Sequence, residues 1–329
     1  MRHTSRTSGM EAAMGEFNTE ERVLDGTTVH PQGVALILEG GGFRGMYSAG
    51  VMDVLLERGI SDFASVWGVS AGAINAVSFK SRQVGRSMRV MMAFRDDRRF
   101  MSLWSWATTG NMAGGDFMYD EIQNHLDPCD NEAFNSNPMR MFAVASDVVF
   151  GTPAYLECKS FPEDVKKVRA SASMPLVSQM VDIDGHRYLD GGTTDSVPYE
   201  VALGLGSSAP PVGYVPARRA LVVLTQDRGY VKGGGEEAVV IRSRRYGGYP
   251  YYIEALDSRA RRYNEMRERL FTLEREPHSP VLVIAPERPV EVATNESNGA
   301  KLLDLYLQGR QQAERRLAEI QDFVRTVIN

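Results

Sequence analysis

The chain has 329 residues, 43% of them hydrophobic, which is enough for a sizeable core within one large α/β unit. Its net charge of −5 argues against a nucleic-acid partner, whose binders carry a basic footprint. The two cysteines, Cys129 and Cys158, form neither a metal-ligand spacing nor a disulfide framework, and no run of about 18 apolar residues is present to span a bilayer.

Cysteine usage of this kind points to a reducing, cytoplasmic compartment. Residues 1–32 are polar, and Arg2 and Arg6 are not followed by the apolar segment of a secretory signal. They read as a flexible leader ahead of a domain at 33–329.

Val34 to Leu38 is a continuous apolar run of strand length, ending at Glu39. The loop Gly40-Gly41-Gly42-Phe43-Arg44-Gly45 follows, then a helical pattern from Met46 that Gly59 stops. Phe63 to Trp67 reads as a second strand and Ala71 to Phe79 as a second helix. The order predicts a βαβ unit with parallel strands and a right-handed crossover. Between the second strand and helix lies Gly68-Val69-Ser70-Ala71-Gly72. In that context the pentapeptide reads as a nucleophile elbow, with the Ser70 hydroxyl raised at the strand end and a helix N-terminus behind it. The plainer reading is coincidence, since the chain has 31 glycines.

The glycine loop has three readings. Its spacing fits a dinucleotide fingerprint, but that motif wants an acidic residue closing the second strand, where this chain has Gly68 and Ser70. It can be a purely structural turn. It can also be an oxyanion hole, with Gly41 and Gly42 aiming N–H groups at a point beside Ser70, donors typically worth about 3–4 kcal/mol to an acyl-transfer transition state. Arg44 would then fix the loop or add positive potential.

Phe94 to Met118 mixes charges with Phe100, Leu103, Trp104 and Trp106. It reads either as a packed helix and loop or as a flap or interfacial surface over the site. Met141 to Val149 predicts a third strand, with a turn at Gly151-Thr152-Pro153 and a further strand from Ala154 to Leu156. After the segment Arg169 to Pro175, Asp184-Gly185 signals a hairpin whose second strand ends at Asp190, before Gly191 and Gly192. Two glycines able to adopt positive φ suit a carboxylate aimed into a cleft, and a turn-forming aspartate is the alternative.

Together, in this order, EGGGFRG, GVSAG, ASASMP and DGG resemble the patatin-like phospholipase family, in its bacterial form, over about Val34 to Leu203. The resemblance implies a three-layer patatin-like α/β fold, with a largely parallel central sheet and helices on both faces. It places the family's nucleophile on Ser70, the aspartate of its dyad on Asp190, and its oxyanion glycines on Gly41 and Gly42 beside Arg44. The Ala71 N–H, next to the nucleophile, is a further oxyanion donor. Gly40, Gly45, Gly68, Gly72, Gly191 and Gly192 complete the motifs. None of the motif blocks departs from the family pattern. The implied reaction is hydrolysis of a phospholipid or other lipid carboxylic ester through an acyl-enzyme, without metal or other cofactor.

A serine nucleophile needs a base. His186 lies four residues before Asp190 in a strand, some 13 Å away by strand rise (~3.3 Å per residue), and is a poor partner for Ser70. His278 leaves an α/β-hydrolase triad formally open, but that fold has several strands before its nucleophile. Asp190 as the direct base is therefore the expectation, and a non-catalytic lipid-binding or regulatory protein is the competing class. In the last third, Gly229 to Glu237 reads as a mobile glycine tract. Arg242, Arg244 and Arg245 beside Tyr246, Tyr249, Tyr251 and Tyr252 can meet anionic headgroups or merely cover the protein's own acidic face. Peripheral membrane contact stays open on that basis. Ala220 to Leu224 and Val281 to Ala285 predict strands, and Tyr252 to Leu273 and Leu302 to Ile328 single helices.

Overall fold

The computed structural model describes residues 33–325 apart from 101–104, 106–109, 112–114 and 295. The leader, Leu103, Trp104 and Trp106 thus lie outside the described residues. One mixed sheet carries the strand order β5-β6-β3-β2-β1-β7-β8, with β4 on the other edge of β3. Its members are β1 (Val34–Leu38), β2 (Ser65–Val69), β3 (Arg140–Asp147), β4 (Thr152–Glu157), β5 (Val181–Ile183), β6 (His186–Asp190), β7 (Arg219–Val223) and β8 (Val281–Ile284). The five strands β3, β2, β1, β7 and β8 run parallel, whereas β4 and β6 are antiparallel to β3.

Every residue of β1 and β2 is buried, as a parallel strand covered on both faces requires. Alternate side chains feed two cores. Leu36, Leu38 and Val66 pack with the helix Gly45–Glu57 (α1), whereas Ile37, Trp67 and Val69 pack with Tyr263, Met266 and Leu270 of the helix Arg259–Glu274. The result is the three-layer α/β architecture implied by the motif order.

The register of β3 positions the site. Residues 142–147 of β3 pair with β4 along one edge, so β2 and β6 must share the other. There β2 occupies β3 up to Val69 opposite Val144, and β6 takes over with Asp190 opposite Ala145. The carboxyl ends of β2 and β6 therefore meet end to end, and each is followed at once by a tight turn.

Two predicted helices are broken. The stretch 252–273 divides at Ser258, between Pro250–Asp257 and Arg259–Glu274. There the Ser258 hydroxyl donates back to the Glu254 carbonyl at 2.8 Å, a bond that competes with the helical ladder. The C-terminal stretch turns at Arg316, between Gly299–Arg315 and Leu317–Arg325, where the guanidinium donates to the Val283 carbonyl at 2.6 Å. The first of these segments packs along α1, with Tyr306 donating to Asp53 at 2.7 Å.

Candidate active site

Ser70 sits between β2 and the helix Ala71–Lys80 (α2) with φ 54° and ψ −121°, a strained conformation for a residue with a Cβ. This is the sharp strand-to-helix turn that an exposed nucleophile needs. Gly68 and Gly72 make it possible: a Cβ would lie 2.5 Å from Ala73 Cα at the first and 2.3 Å from the Leu38 carbonyl at the second. The Ser70 N–H donates to Ser171 Oγ at 2.9 Å, and that hydroxyl donates to the Val144 carbonyl at 2.6 Å. Ser173, two residues on, accepts the Asp190 N–H at 2.8 Å through its carbonyl. The ASASMP segment thus fastens both the elbow and the aspartate to the end of β3. In the sequence the segment is a motif without an evident role. The alternating small hydroxyls were the only available signal.

Asp190 is 7% exposed; its carboxylate accepts the Gly192 N–H at 2.8 Å and lies close enough to the Ser70 hydroxyl to feel it electrostatically. Burial pushes the carboxyl above its ordinary range, opposed by the nearby Ser70 hydroxyl, the Gly192 N–H and the positive charges of Arg259 and Lys232. The expected reason for the two following glycines is corrected by the geometry. Neither Gly191 nor Gly192 has positive φ. Gly191 is there because a Cβ would lie 2.1 Å from the Val144 carbonyl, where β6 meets β3.

The glycine loop lies against the elbow. A Cβ on Gly40 would be 2.9 Å from the Val69 carbonyl, and one on Gly45 would be 3.0 Å from Ala71 Cβ. Gly42 opens a 3-10 turn at φ 57°, and Thr294 holds that turn by accepting the Phe43 N–H at 3.1 Å and Arg44 Nη1 at 3.2 Å. Beneath it the buried Glu39 carboxylate accepts the Thr225 N–H and the Tyr263 hydroxyl. The Thr225 hydroxyl stands between that carboxylate, at 3.1 Å, and the Gly40 carbonyl, at 2.6 Å. Thr225, Tyr263 and Thr294 come from far along the chain, and nothing in the sequence announced them. Glu39 carried one faint signal, an acid at the end of a fully apolar strand.

Two cavities meet at Ser70, sharing it with Gly42 and Met174. One is apolar and runs along α2. The other is a chamber lined by the polar groups of Asp190, Arg44, Lys232, Glu237 and Arg259 and by Gly41. Arg259 also donates to the Gly192 carbonyl at 2.6 Å and pairs with Glu237 at 2.9 Å, so this wall braces the aspartate's turn.

Other expectations change. Within the glycine tract, Lys232 is held through its backbone N–H and carbonyl by Asn264, at 2.8 and 3.0 Å, and a helix begins at Gly235. Tyr246 and Tyr252 are core residues, which removes them from a headgroup-binding cluster. Phe100 is buried against Phe43 rather than exposed on a flap. His186 bonds Asp147 at 2.8 Å, and His278 sits in a turn at φ 59°. Neither lines the two cavities. His186→Ala and His278→Ala should each keep esterase activity within about threefold of wild type, against the about 10⁴-fold loss of a triad member. Steady-state rates on a soluble ester check this.

A family model for patatin-like phospholipase matches residues 36–203, just over half of the chain and the part holding the loop, the elbow and Asp190. The chain belongs to the patatin-like phospholipase family. A second model, for a domain of unknown function, matches residues 249–325, which include Arg259, Tyr263 and Thr294. The uncharacterized protein YjjU of Escherichia coli is 29% identical over 54% of this chain and 50% of its own length. The 1-acylglycerol-3-phosphate O-acyltransferase Pnpla3 of Mus musculus is 29% identical over 50% and 40%. An uncharacterized NTE family protein of Mycobacterium tuberculosis is 25% identical over 53% and 46%. The matches therefore span half or less of these relatives' own lengths. A crystal structure of VipD from Legionella pneumophila matches at 13% identity with a TM-score of 0.41, over 88% of this chain and 67% of that one.

Proposed function

We propose that the chain is a serine acyl hydrolase that cleaves a lipid carboxylic ester through a Ser70–Asp190 dyad. The observation that carries this reading is Ser70 on its strained turn facing one chamber with the buried Asp190, where the ends of β2 and β6 meet and an apolar cavity opens beside them. Among the described residues no histidine lines either cavity, so in this reading the carboxylate takes the proton itself. Raising the carboxyl by burial brings it nearer the basicity that general-base catalysis needs.

As Asp190 accepts the hydroxyl proton, Ser70 Oγ bonds to the acyl carbon and the carbonyl electrons move onto oxygen. The N–H groups of Gly41, Gly42 and Ala71 hold that oxyanion. Collapse breaks the ester bond, and the departing alkoxide takes the proton from Asp190. A water molecule then gives its proton to Asp190, attacks the acyl-enzyme, and releases the acid as Ser70 recovers its proton. The acyl chain occupies the apolar cavity and the alcohol part of the ester the polar one. Residues 33–329 act as one domain in this reading, with 249–325 supplying part of the chamber wall. A cytoplasmic enzyme working at a membrane surface fits it.

The mouse relative's name favours a second outcome for the same acyl-enzyme, in which an alcohol in the polar chamber takes the acyl group in place of water. A fluorophosphonate probe, followed by hydrolysis assays on a panel of phospholipids and lysophospholipids with and without an added alcohol acceptor, tests both. Labelling confined to Ser70 is expected. An unlabelled Ser70 in folded protein would leave the non-catalytic lipid-binding class as the reading.

A further inference from the structure

The apolar cavity has a direction, and its far end is polar. Three helical segments line it, and each contributes one member of a hydrogen-bonded polar cluster, Ser78, Arg86 and Gln123. On α2 one face presents Ala71 and Ile74 and then Ser78. On the segment Phe117–Leu126, Tyr119 and Ile122 line the wall, and Gln123 reaches Arg86. On the helix Arg86–Phe94, Val90 and Met91 line the wall, and Arg86 closes the end.

Arg86 is 2% exposed and fully engaged. Its Nη2 donates to Gln123 Oε1 at 2.9 Å and to the Asp127 carbonyl at 2.7 Å, and its Nη1 lies 3.4 Å from Ser78 Oγ. The Asp127 carboxylate stands 3.6 Å from its Nε. A hydrocarbon tail pushed past this point would strip a buried charge of its partners, which is strongly unfavourable.

We propose that this cavity measures the acyl chain, taking medium chains and ending them at the Arg86–Gln123–Ser78 cluster. The inference rests on the hydrolase reading and adds a chain-length limit to it. From Ser70 to Ser78 the rise along the helix is about 12 Å. An extended alkyl chain with carbon–carbon bonds of about 1.5 Å advances about 1.25 Å per carbon, so the cavity fits about 8–10 carbons.

Straight-chain p-nitrophenyl esters from C4 to C16, kept below micelle-forming concentrations, test the limit with the full chain. Each buried methylene strengthens binding by up to about fourfold, so kcat/KM should climb at least about tenfold from C4 to C8–C10 and fall by at least about tenfold towards C16. Ile74→Trp, which narrows the cavity midway, should move the optimum to C4–C6. Binding of straight-chain carboxylic acids to the Ser70→Ala protein, measured by calorimetry, needs no turnover and should show the same maximum near C8–C10. A flat series, or one still rising at C16 in both assays, overturns the proposal. Chain-selective binding without any ester turnover keeps the measuring cavity and sinks the hydrolase reading instead, and turnover without chain preference does the reverse.

Discussion

Ser70→Ala and Asp190→Asn should each lower kcat/KM on a soluble ester by about 10⁴-fold or more, and the double variant should lose little beyond either single one. A nucleophile and its base act as a unit, so losses from removing them overlap instead of adding. Asparagine is suited to the test because it keeps the side-chain oxygen that accepts the Gly192 N–H and removes only the basic group. Losses that multiply in the double variant, or an active Asp190→Asn, would refute a dyad in which the carboxylate is the base.

The same substitution has a stability signature of opposite sign. Burial raises the Asp190 carboxyl in the folded state, so between its unfolded and folded pKa values the folded protein holds more protons than the unfolded chain. Stability from this group is therefore fully present below the unfolded value, near 3.9, and is lost as pH rises through the folded one. At neutral pH the ionised Asp190 weakens the fold, and Asp190→Asn should melt at the wild-type temperature or above it. Activity has the reverse dependence, since the base works only when ionised. The rate should fall on the acid side with a midpoint above the ordinary carboxylate range. An inactive Asp190→Asn that is also markedly unstable would mean the loss came from the fold.

How much of this arrangement the sequence discloses follows from how local each feature is. β1, the glycine loop and the elbow lie within Val34 to Phe79, and their turn residues and apolar runs speak for themselves. Asp190 needed its motif, because a lone aspartate before two glycines is equally a turn residue. What escaped is non-local. The Glu39–Thr225–Tyr263 cluster joins residues 186 and 224 positions apart. Ser171 matters only because β3 ends beside β2, and that register is not written in the seven residues around it. The cluster of Arg86, Gln123 and Ser78 brings together three helices, and nothing local to any one of them shows that these side chains meet. Tyr246 and Tyr252 show the converse failure: arginines nearby in sequence suggested a surface, and the fold turned the rings inward.

The C-terminal match of unknown function belongs to the same logic. Arg259 holds the carbonyl of the turn after Asp190, Tyr263 holds the acid beneath the glycine loop, and Thr294 holds the loop itself. Each contact joins residues 249–325 to the region of the patatin match, at a point that the proposed mechanism needs held in place. A core fold lacking this part would keep Ser70 and Asp190, the proposed nucleophile and base, but lose the contacts that hold the turn after Asp190 and the floor of the glycine loop.

Gly42→Ala isolates that oxyanion loop, with Gly59→Ala as its control. Both glycines adopt positive φ, 57° at Gly42 and 69° at Gly59, so alanine meets similar backbone strain of about 1–2 kcal/mol at each. They differ in surroundings. Nothing lies within 4 Å of a Cβ on Gly59, whereas one on Gly42 would sit 2.4 Å from the Thr294 carbonyl. That carbonyl is the acceptor that holds the Phe43 N–H, so relieving the clash must shift the loop itself. Displacing an oxyanion donor typically costs about 10²–10³-fold in kcat. Gly42→Ala should therefore lose about 10²-fold or more in kcat with a smaller change in KM, and Gly59→Ala should keep near wild-type rates while melting lower by the amount that positive φ alone costs. Equal rates in the two variants would mean that the glycine loop is only a turn and that the oxyanion is held elsewhere.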